Sequence, residues 1–189
     1  MPYAGFGMLE QEQIETESVI LSPLSLNDAE EMFPQFTEAV TLYMVPKAAE
    51  SMQDITDFIE RSIQQTKEGT DFLYTIRRSS DSLFLGVAGI HELNTKTPVF
   101  GIWIREDQHG NGYGKSTIHA LHRWASSHLN PEYFIYPVDQ KNAASLRIPE
   151  SLGGTVQAAY SKENLSGRIL NILEYHIPPA RSGTNRAHR

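Results

Sequence analysis

Residues 100–115 of the chain read FGIWIREDQHGNGYGK. An apolar strand, about Val99 to Ile104, runs into a turn with three alternating glycines, and a helix follows from about Gly112 to His128. Glycine lets the backbone turn tightly and approach a ligand closely. The helix leaves its first N–H groups unpaired, with the positive end of its dipole at the turn. The stretch therefore predicts an anion site suited to a pyrophosphate.

Neither of two common nucleotide-binding patterns fits this turn. A Walker loop requires G-x-x-x-x-G-K-[ST]; Lys115 and Ser116 follow Gly114, but His109 stands where the first glycine belongs. A dinucleotide fingerprint requires G-x-G-x-x-G, and here Lys115 stands where the last glycine belongs. A plain strand–helix turn without a ligand is the alternative that the glycines alone leave open.

Strands and helices alternate around the turn. Hydrophobic periodicity predicts strands at about 19–21, 71–77, 83–90, 99–104, 133–138, 156–160 and 169–177. Helices are predicted at about 27–36, 53–67 and 112–128, with a further helix that begins after Asn142 and ends at Gly153. Because residues 94–97 make a hairpin turn just before the glycine-rich turn, the order favours α/β with a mixed sheet over a purely parallel one.

Composition narrows the function classes. A chain of 189 residues with 40% hydrophobic residues fits one domain, and the absence of cysteine excludes disulfides and thiolate chemistry. The net charge of −7 makes the chain a poor candidate for binding nucleic acid and would suit a cationic substrate, although solubility alone is the more common explanation of such a charge. No signal peptide or membrane span is predicted, so we expect a cytoplasmic protein.

The ends of the chain differ from the rest. Residues 1–16 are predicted to be a flexible lead-in, residues 17–177 a single domain, and residues 178–189, with paired prolines and then small and basic residues, a disordered tail.

A second motif begins about thirty residues after the turn. Residues 136–154 read YPVDQKNAASLRIPESLGG: a strand, then N-x-x-S from Asn142 to Ser145, then a helix ending in Leu-Gly. In this order, the turn and this motif resemble the two signatures of the GNAT acetyltransferase superfamily. The N-x-x-S form and the opening at residues 15–29 are similar to the RimJ/RimL-like branch of ribosomal-protein alanine and serine N-terminal acetyltransferases. The resemblance covers about residues 15–177.

The resemblance implies a fold and a reaction. The fold is a mixed, largely antiparallel twisted sheet with splayed central strands, flanked by about four helices. The implied enzyme is an N-acetyltransferase with acetyl-CoA as co-substrate and a primary amine as acceptor, such as a protein N-terminus. The amine attacks the thioester directly, a general base takes its proton, and a general acid protonates the CoA thiolate. Backbone N–H groups at a bulge in the strand before the turn would polarise the carbonyl.

The resemblance also implies which residues bind the cofactor. The pantetheine arm would meet the strand before the turn and Asn142, and the pyrophosphate would meet the turn and the first helical amides. The implied cofactor-binding residues are Ile102, Trp103, Ile104, His109, Gly110, Asn111, Gly112, Tyr113, Gly114, Lys115, Ser116 and Asn142. Asn142 could equally be a plain helix cap.

Each candidate catalytic residue also has a non-catalytic explanation. Ser145 matches the serine proposed as general acid in the branch, or it is simply a polar residue in the first turn of a helix. His91 and Glu92 are candidates for the general base, because histidine titrates near neutral pH and glutamate could act through water. Both could instead be ordinary polar residues at the end of a hairpin strand.

Three positions depart from the family pattern. His109 replaces the usual arginine or glutamine, Pro149 lies inside the helix after Asn142 where proline tends to kink it, and Ser22 replaces a frequent arginine. No histidine has companions at metal-ligand spacing, so no metal site is expected.

Other function classes stay open on sequence alone. They are a small-molecule amine acetyltransferase, a non-catalytic acyl-CoA-binding module and a nucleotide-binding domain. Homodimerisation is compatible with the sequence, which does not determine it.

Overall fold

A computed structural model of the protein describes residues 12–181. Most of the predicted lead-in and of the predicted tail, residues 1–11 and 182–189, lies outside the described residues. Within the predicted lead-in, Ile14 and Glu15 form a short strand that pairs with the next strand of the sheet. Among the described residues, no helix is long and apolar enough to cross a membrane.

Within residues 12–181, eight strands form one sheet in the order β1-β2-β3-β4-β5-β6-β8-β7. The strands are β1 Ile14–Glu15, β2 Val19–Pro23, β3 Phe72–Arg78, β4 Phe84–His91, β5 Val99–Ile104, β6 Phe134–Asp139, β7 Thr155–Glu163 and β8 Ile169–Ile177. Every neighbouring pair is antiparallel except β5 and β6, which run parallel. The predicted mixed, largely antiparallel sheet is confirmed.

The described part of the chain also contains four α-helices. They are α1 Ala29–Met32, α2 Met52–Glu68, α3 Tyr113–His128 and α4 Ala143–Ser151. The single helix predicted at 27–36 is instead broken into a 3₁₀ turn, α1 and a second 3₁₀ turn at Phe33–Gln35. Pro34 explains the break, because proline donates no backbone hydrogen bond and its ring crowds the preceding turn.

Local signals set the ends of the long helices. Ser51 caps α2 by accepting from the Asp54 amide, and Gly69 ends it in the left-handed conformation with φ 72°. At α4, the Asn142 side chain accepts from the Ser145 amide, as predicted for a helix cap.

The sheet carries an apolar cluster on each face. On one face, α3 buries Ile118, Leu121 and Ala125 against the central strands. On the other, α1 and α2 bury Met32 and Ile59, together with Trp103 of β5. Burial of apolar area on both faces stabilises the three-layer arrangement and holds β5 and β6 in the middle of the domain.

The two parallel strands separate soon after they meet. Val99 of β5 pairs with Ile135 of β6, and no further residue pair between these strands is formed in the described chain. Because β5 keeps its pairing with β4 along its whole length, the gap opens on its β6 side. Splayed central strands, as predicted, leave backbone polar groups of β5 facing an opening in the sheet.

Candidate active site

A cavity of about 600 Å³ occupies the gap between β5 and β6. It reaches both faces of the sheet, since α2 and residues 43–49 border it on one side, and Asn142 and Ser145 at the start of α4 border it on the other. Residues of the two splayed strands form the middle of the cavity; they are Phe100, Gly101, Ile102, Trp103, Tyr136, Pro137, Val138 and Asp139. Such a passage can hold a long ligand threaded through the sheet.

The glycine-rich turn leads from β5 into α3. Gly110 and Gly112 both have positive φ, 81° and 80°, which favours glycine. A Cβ added at either residue would meet no heavy atom within 4 Å, so the turn presents bare backbone to open space. Gly112 is the N-cap of α3 and offers no side chain to the first helical amides. These groups fit a pyrophosphate, which would accept from the amides at the positive end of the helix dipole.

Three of the residues predicted to bind the cofactor have side chains that form hydrogen bonds with other residues of the protein. The His109 ring contacts the carbonyl oxygen of Ile104 through Nε2 at 2.7 Å, and the Asn111 side chain donates to the Gln108 carbonyl at 3.1 Å. Ser116 uses its amide within the helix and its hydroxyl with Ser18 at 2.7 Å. His109 and Asn111 therefore shape the turn, and Ser116 turns its hydroxyl toward the β1–β2 connection.

Two cations lie at the turn. Lys115 is exposed in the first turn of α3. Arg78, at the end of β3, lies beside the turn because its guanidinium approaches Gln108 at 3.4 Å. Its hydrogen bond with Asp81, and then that with the Tyr113 hydroxyl, raise the pKa of Arg78, which therefore stays charged. The sequence did not single out Arg78, since its approach to Tyr113 depends on the packing of β3 against the α3 terminus.

The backbone of β5 differs from the expectation in one respect. Residues 99–104 pair with β4 in continuous register, from Val99 opposite His91 to Ile104 opposite Gly86, so β5 contains no bulge. The irregularity in the central strands lies between β3 and β4, where the register shifts at Ile76 and Arg77. Any carbonyl-polarising N–H group of β5 must therefore come from its unpaired edge along the gap.

Ser145 and Tyr136 form a hydroxyl pair in the cavity wall. Their oxygen atoms lie 2.7 Å apart, and both residues line the cavity. Burial raises the pKa of Tyr136 to about 12, and the hydrogen bond with Ser145 opposes this only partly. Tyr136 therefore stays protonated at neutral pH and can donate to Ser145. The sequence predicted Ser145 but missed Tyr136, which resembles any other aromatic residue of a buried strand.

Pro149 does not remove Ser145 from the cavity. The proline is buried in the last turn of α4, and the helix continues to Ser151. The Gly154 amide then donates to the Pro149 carbonyl at 2.8 Å and closes the helix end. Because the missing hydrogen bond falls near the end of a short helix, the first turn keeps its position beside β6.

Of the two candidate bases, only His91 lines the cavity. Its Nδ1 atom lies 2.6 Å from Oδ1 of Asp71, a residue that is 8% exposed just before β3. Burial alone would raise the pKa of Asp71, but hydrogen bonds from His91 and Thr70 outweigh it and lower the pKa. Glu92 is exposed at φ 57° in the turn after β4 and, unlike the adjacent His91, is not among the cavity-lining residues.

The side of the cavity nearest α2 is aromatic and apolar. Phe36 and Trp103 have ring centroids 5.1 Å apart, and Phe58 and Leu73 also line this side. Charged side chains border it, with Asp57 and Arg61 on α2. The turn between β7 and β8 closes one edge, since the Leu165 amide donates to the Val45 carbonyl at 2.9 Å.

A protein-family comparison agrees with this geometry. The model of the acetyltransferase (GNAT) domain matches residues 18–155, which include both signatures, His91 and the splayed strands. The chain belongs to the GNAT acetyltransferases. It is thus an acyltransferase. The two sequence signatures predicted this family.

Solved structures with the GNAT fold superpose on most of the chain. RimL, a ribosomal L7/L12 alpha-N-protein acetyltransferase, in complex with coenzyme A has a TM-score of 0.76 at 16% identity, covering 90% of this chain and 100% of that one. An acetyltransferase from Salmonella typhimurium that modifies the N-terminal serine of L7/L12 has a TM-score of 0.76 at 16% identity, covering 88% and 99%. A GCN5-related N-acetyltransferase from Brucella melitensis has a TM-score of 0.75 at 12% identity, covering 90% and 80%.

The TM-scores of these three structures establish a shared fold, and at 12–16% identity the likeness extends no further than the fold. No protein with a curated description matches the chain in sequence. The roles of individual residues in this GNAT acetyltransferase must therefore be argued from its own cavity.

Proposed function

We propose that the protein is an acetyl-CoA-dependent N-acetyltransferase that transfers the acetyl group to a primary amine by direct attack. One observation carries this proposal: a single cavity through the splayed strands is lined by His91, by Ser145 and by residues of β5 beyond its one residue pair with β6. A base, an acid and unpaired backbone groups within one passage are what acyl transfer to an amine requires.

The donor would bind at the glycine-rich turn. The open backbone of Gly110 and Gly112, the uncapped start of α3 and the charge of Lys115 suit the pyrophosphate. From the turn, the pantetheine arm would then follow the free edge of β5 past Trp103 toward Ile102, with Asn142 on the opposite wall. This path brings the thioester to the middle of the gap.

His91 would act as the general base. The amine nitrogen attacks the thioester carbonyl carbon, and the proton that the amine loses passes to Nε2 of His91, directly or through one water. With Nδ1 facing Asp71, Nε2 is the ring nitrogen free for this transfer. Asp71 stabilises the imidazolium that forms, because opposite charges at hydrogen-bond distance attract strongly in a partly buried site.

Ser145 would supply the proton for the leaving group. When the carbon–sulfur bond breaks, the CoA sulfur takes the proton of the Ser145 hydroxyl. The phenol of Tyr136, 2.7 Å away, can donate to the serine oxygen as this proton departs. A serine alone is a weak acid, and the buried tyrosine beside it compensates by stabilising the developing charge on oxygen.

The acceptor that we propose is the α-amino group of a protein N-terminus. The support is the N-x-x-S motif at Asn142–Ser145 and the similar fold of two acetyltransferases described as modifying ribosomal L7/L12. An extended N-terminal segment could enter the cavity from the side of α2 and residues 43–49, where Phe36 and Trp103 would contact its first side chains.

Thiol release from acetyl-CoA tests the function. We expect turnover with N-terminal peptides, and about a hundredfold loss in His91→Gln, because a general base typically contributes at least this factor. Turnover confined to small amines would replace the protein acceptor by a small-molecule acceptor. Coenzyme A binding by calorimetry without turnover on any amine would identify a non-catalytic acyl-CoA-binding module and overturn the proposal.

A further inference from the structure

Two glycines face each other in the middle of the sheet. Gly89 of β4 pairs with Gly101 of β5, and both line the cavity. Glycine weakens a strand interior, so a cross-strand pair of glycines calls for a local reason such as close approach of another group. Neither residue has the positive φ that would itself favour glycine.

The imidazole of His91 occupies the space that two side chains would fill. A Cβ added to Gly89 would lie 2.8 Å from Nε2 of His91, and a Cβ added to Gly101 would lie 3.1 Å from the same atom. The first distance is shorter than real Cβ contacts allow, and the second is tight. The paired glycines thus form a slot in which the ring lies against the sheet.

Asp71 holds the other end of the ring. Its carboxylate contacts Nδ1 at 2.6 Å, and its own backbone is tied by the Thr66 hydroxyl, which donates to the Asp71 carbonyl at 2.9 Å. An ionised carboxylate only accepts hydrogen bonds, so the proton of the neutral ring must sit on Nδ1. The lone pair then sits on Nε2, above Gly89 and Gly101.

We propose that Asp71 is a positioning residue that fixes His91 in the Nδ1–H tautomer, within a slot formed by Gly89 and Gly101, so that Nε2 presents its lone pair to the amine in the cavity. This inference rests on the proposed function and adds to it the device that aims the base. The arrangement follows the general logic of a base oriented by a carboxylate behind it. The two glycines leave room for the His91 ring and the buried carboxylate orients it, so all three residues act on the same side chain.

A purely structural contact between β3 and β4 would predict different behaviour. Such a contact would contribute to the free energy of unfolding, and its loss would leave the kcat of the folded protein unchanged. The test therefore needs both the tautomer, which ¹⁵N chemical shifts of the imidazole nitrogens report without any turnover, and the kcat of variants that remain folded.

The first experiment is a long-range ¹H–¹⁵N spectrum of the full-length protein with ¹⁵N-labelled histidine, with His91 assigned by its loss in His91→Gln. We expect the neutral imidazole of His91 to be in the Nδ1–H form. A predominantly Nε2–H form in the unsubstituted protein would overturn the proposal. Because no amine or acetyl-CoA is present, this result is independent of whether the proposed function holds.

The second experiment measures steady-state acetyl transfer by Asp71→Asn and Gly101→Ala. We expect kcat to fall at least about tenfold in each, with the KM for acetyl-CoA within about twofold, because the base is misdirected while the donor site is untouched. Gly101→Ala should also shift the His91 signals away from the Nδ1–H pattern. Unchanged kcat in both variants would overturn the proposal.

A matched control exists elsewhere in the sheet. His176 and Glu174 form a second histidine–carboxylate pair, with Nε2 and Oε1 3.0 Å apart, and neither residue lines the cavity. Glu174→Gln removes this carboxylate and should leave both kcat and the His91 tautomer unchanged. If this variant loses as much turnover as Asp71→Asn, the losses report general loosening of the sheet, and the positioning role fails.

Discussion

The hydroxyl oxygens of Tyr136 and Ser145 lie 2.7 Å apart in the wall of the cavity. Tyr136 belongs to β6 and Ser145 to the first turn of α4, so this hydrogen bond joins the two elements where the acyl group would react. The contact makes the proposed proton donor a coupled pair of hydroxyls. Four expected outcomes follow from this pair and from the surrounding structure.

Removal of the Ser145 hydroxyl should lower kcat about a hundredfold, because the leaving thiolate loses its proton source. Ser145→Ala should keep the KM for acetyl-CoA within about twofold, and steady-state kinetics with varied donor measure both. Tyr136→Phe should lose less, about tenfold, since it removes one neutral hydrogen bond. Ser151→Ala is the control, because that hydroxyl donates to the Ile148 carbonyl in the same helix. A change in KM alone would argue against proton donation by Ser145.

Tyr136 should also make the protein less stable at alkaline pH. Its folded-state pKa of about 12 exceeds the ordinary value of 10.0, so stability contributed by the neutral phenol is complete below pH 10 and declines as pH rises toward 12. The loss amounts to about 1.4 kcal/mol for each pH unit in that window. Urea unfolding at pH 9, 10 and 11 should show the advantage over Tyr136→Phe shrinking with pH. A constant difference would contradict the buried, neutral phenol.

An alanine at Gly112 should weaken acetyl-CoA binding. The residue has φ 80°, so Gly112→Ala costs about 1–2 kcal/mol of backbone strain and places a methyl group where the pyrophosphate would approach the amides. We expect the KM for acetyl-CoA to rise at least about tenfold. Gly167→Ala, at φ 76° in the β7–β8 turn, carries the same strain away from the donor site and should leave this KM unchanged. Equal effects of the two substitutions would place the pyrophosphate elsewhere.

Asp28 should be a centre of fold stability outside the active site. The residue is 6% exposed, and its carboxylate accepts hydrogen bonds from the Ser25 amide and hydroxyl, the Thr75 hydroxyl and Arg77. Asp28→Ala leaves these donors without an acceptor and should reduce the free energy of unfolding by about 3 kcal/mol or more. Glu31→Ala removes a half-exposed partner of the same arginine and should cost at most about 1 kcal/mol. Urea denaturation compares them, and equal losses would show that Asp28 has no special role.

Much of the fold could be predicted from the sequence. Seven of the strands and the three longer helices were expected close to their observed positions, because each carries a periodic apolar pattern with a turn or cap beside it. The first helix was predicted too long because Pro34 breaks it after one turn. The bulge expected in β5 is absent, since register depends on the partner strand and not on the strand's own residues.

What the sequence determined by itself is local: the glycine-rich turn before α3, the Asn142 cap that presents Ser145, and the order of elements that identifies the GNAT fold. These features depend on residues within a few positions of one another, where backbone sterics and hydrogen bonding decide the structure. Only the tertiary structure decided that Asp71 meets His91, that Tyr136 meets Ser145, and that Ser116 turns toward Ser18. Those contacts follow from strand pairing and from the packing of helices on the sheet, which bring together residues that no local pattern connects.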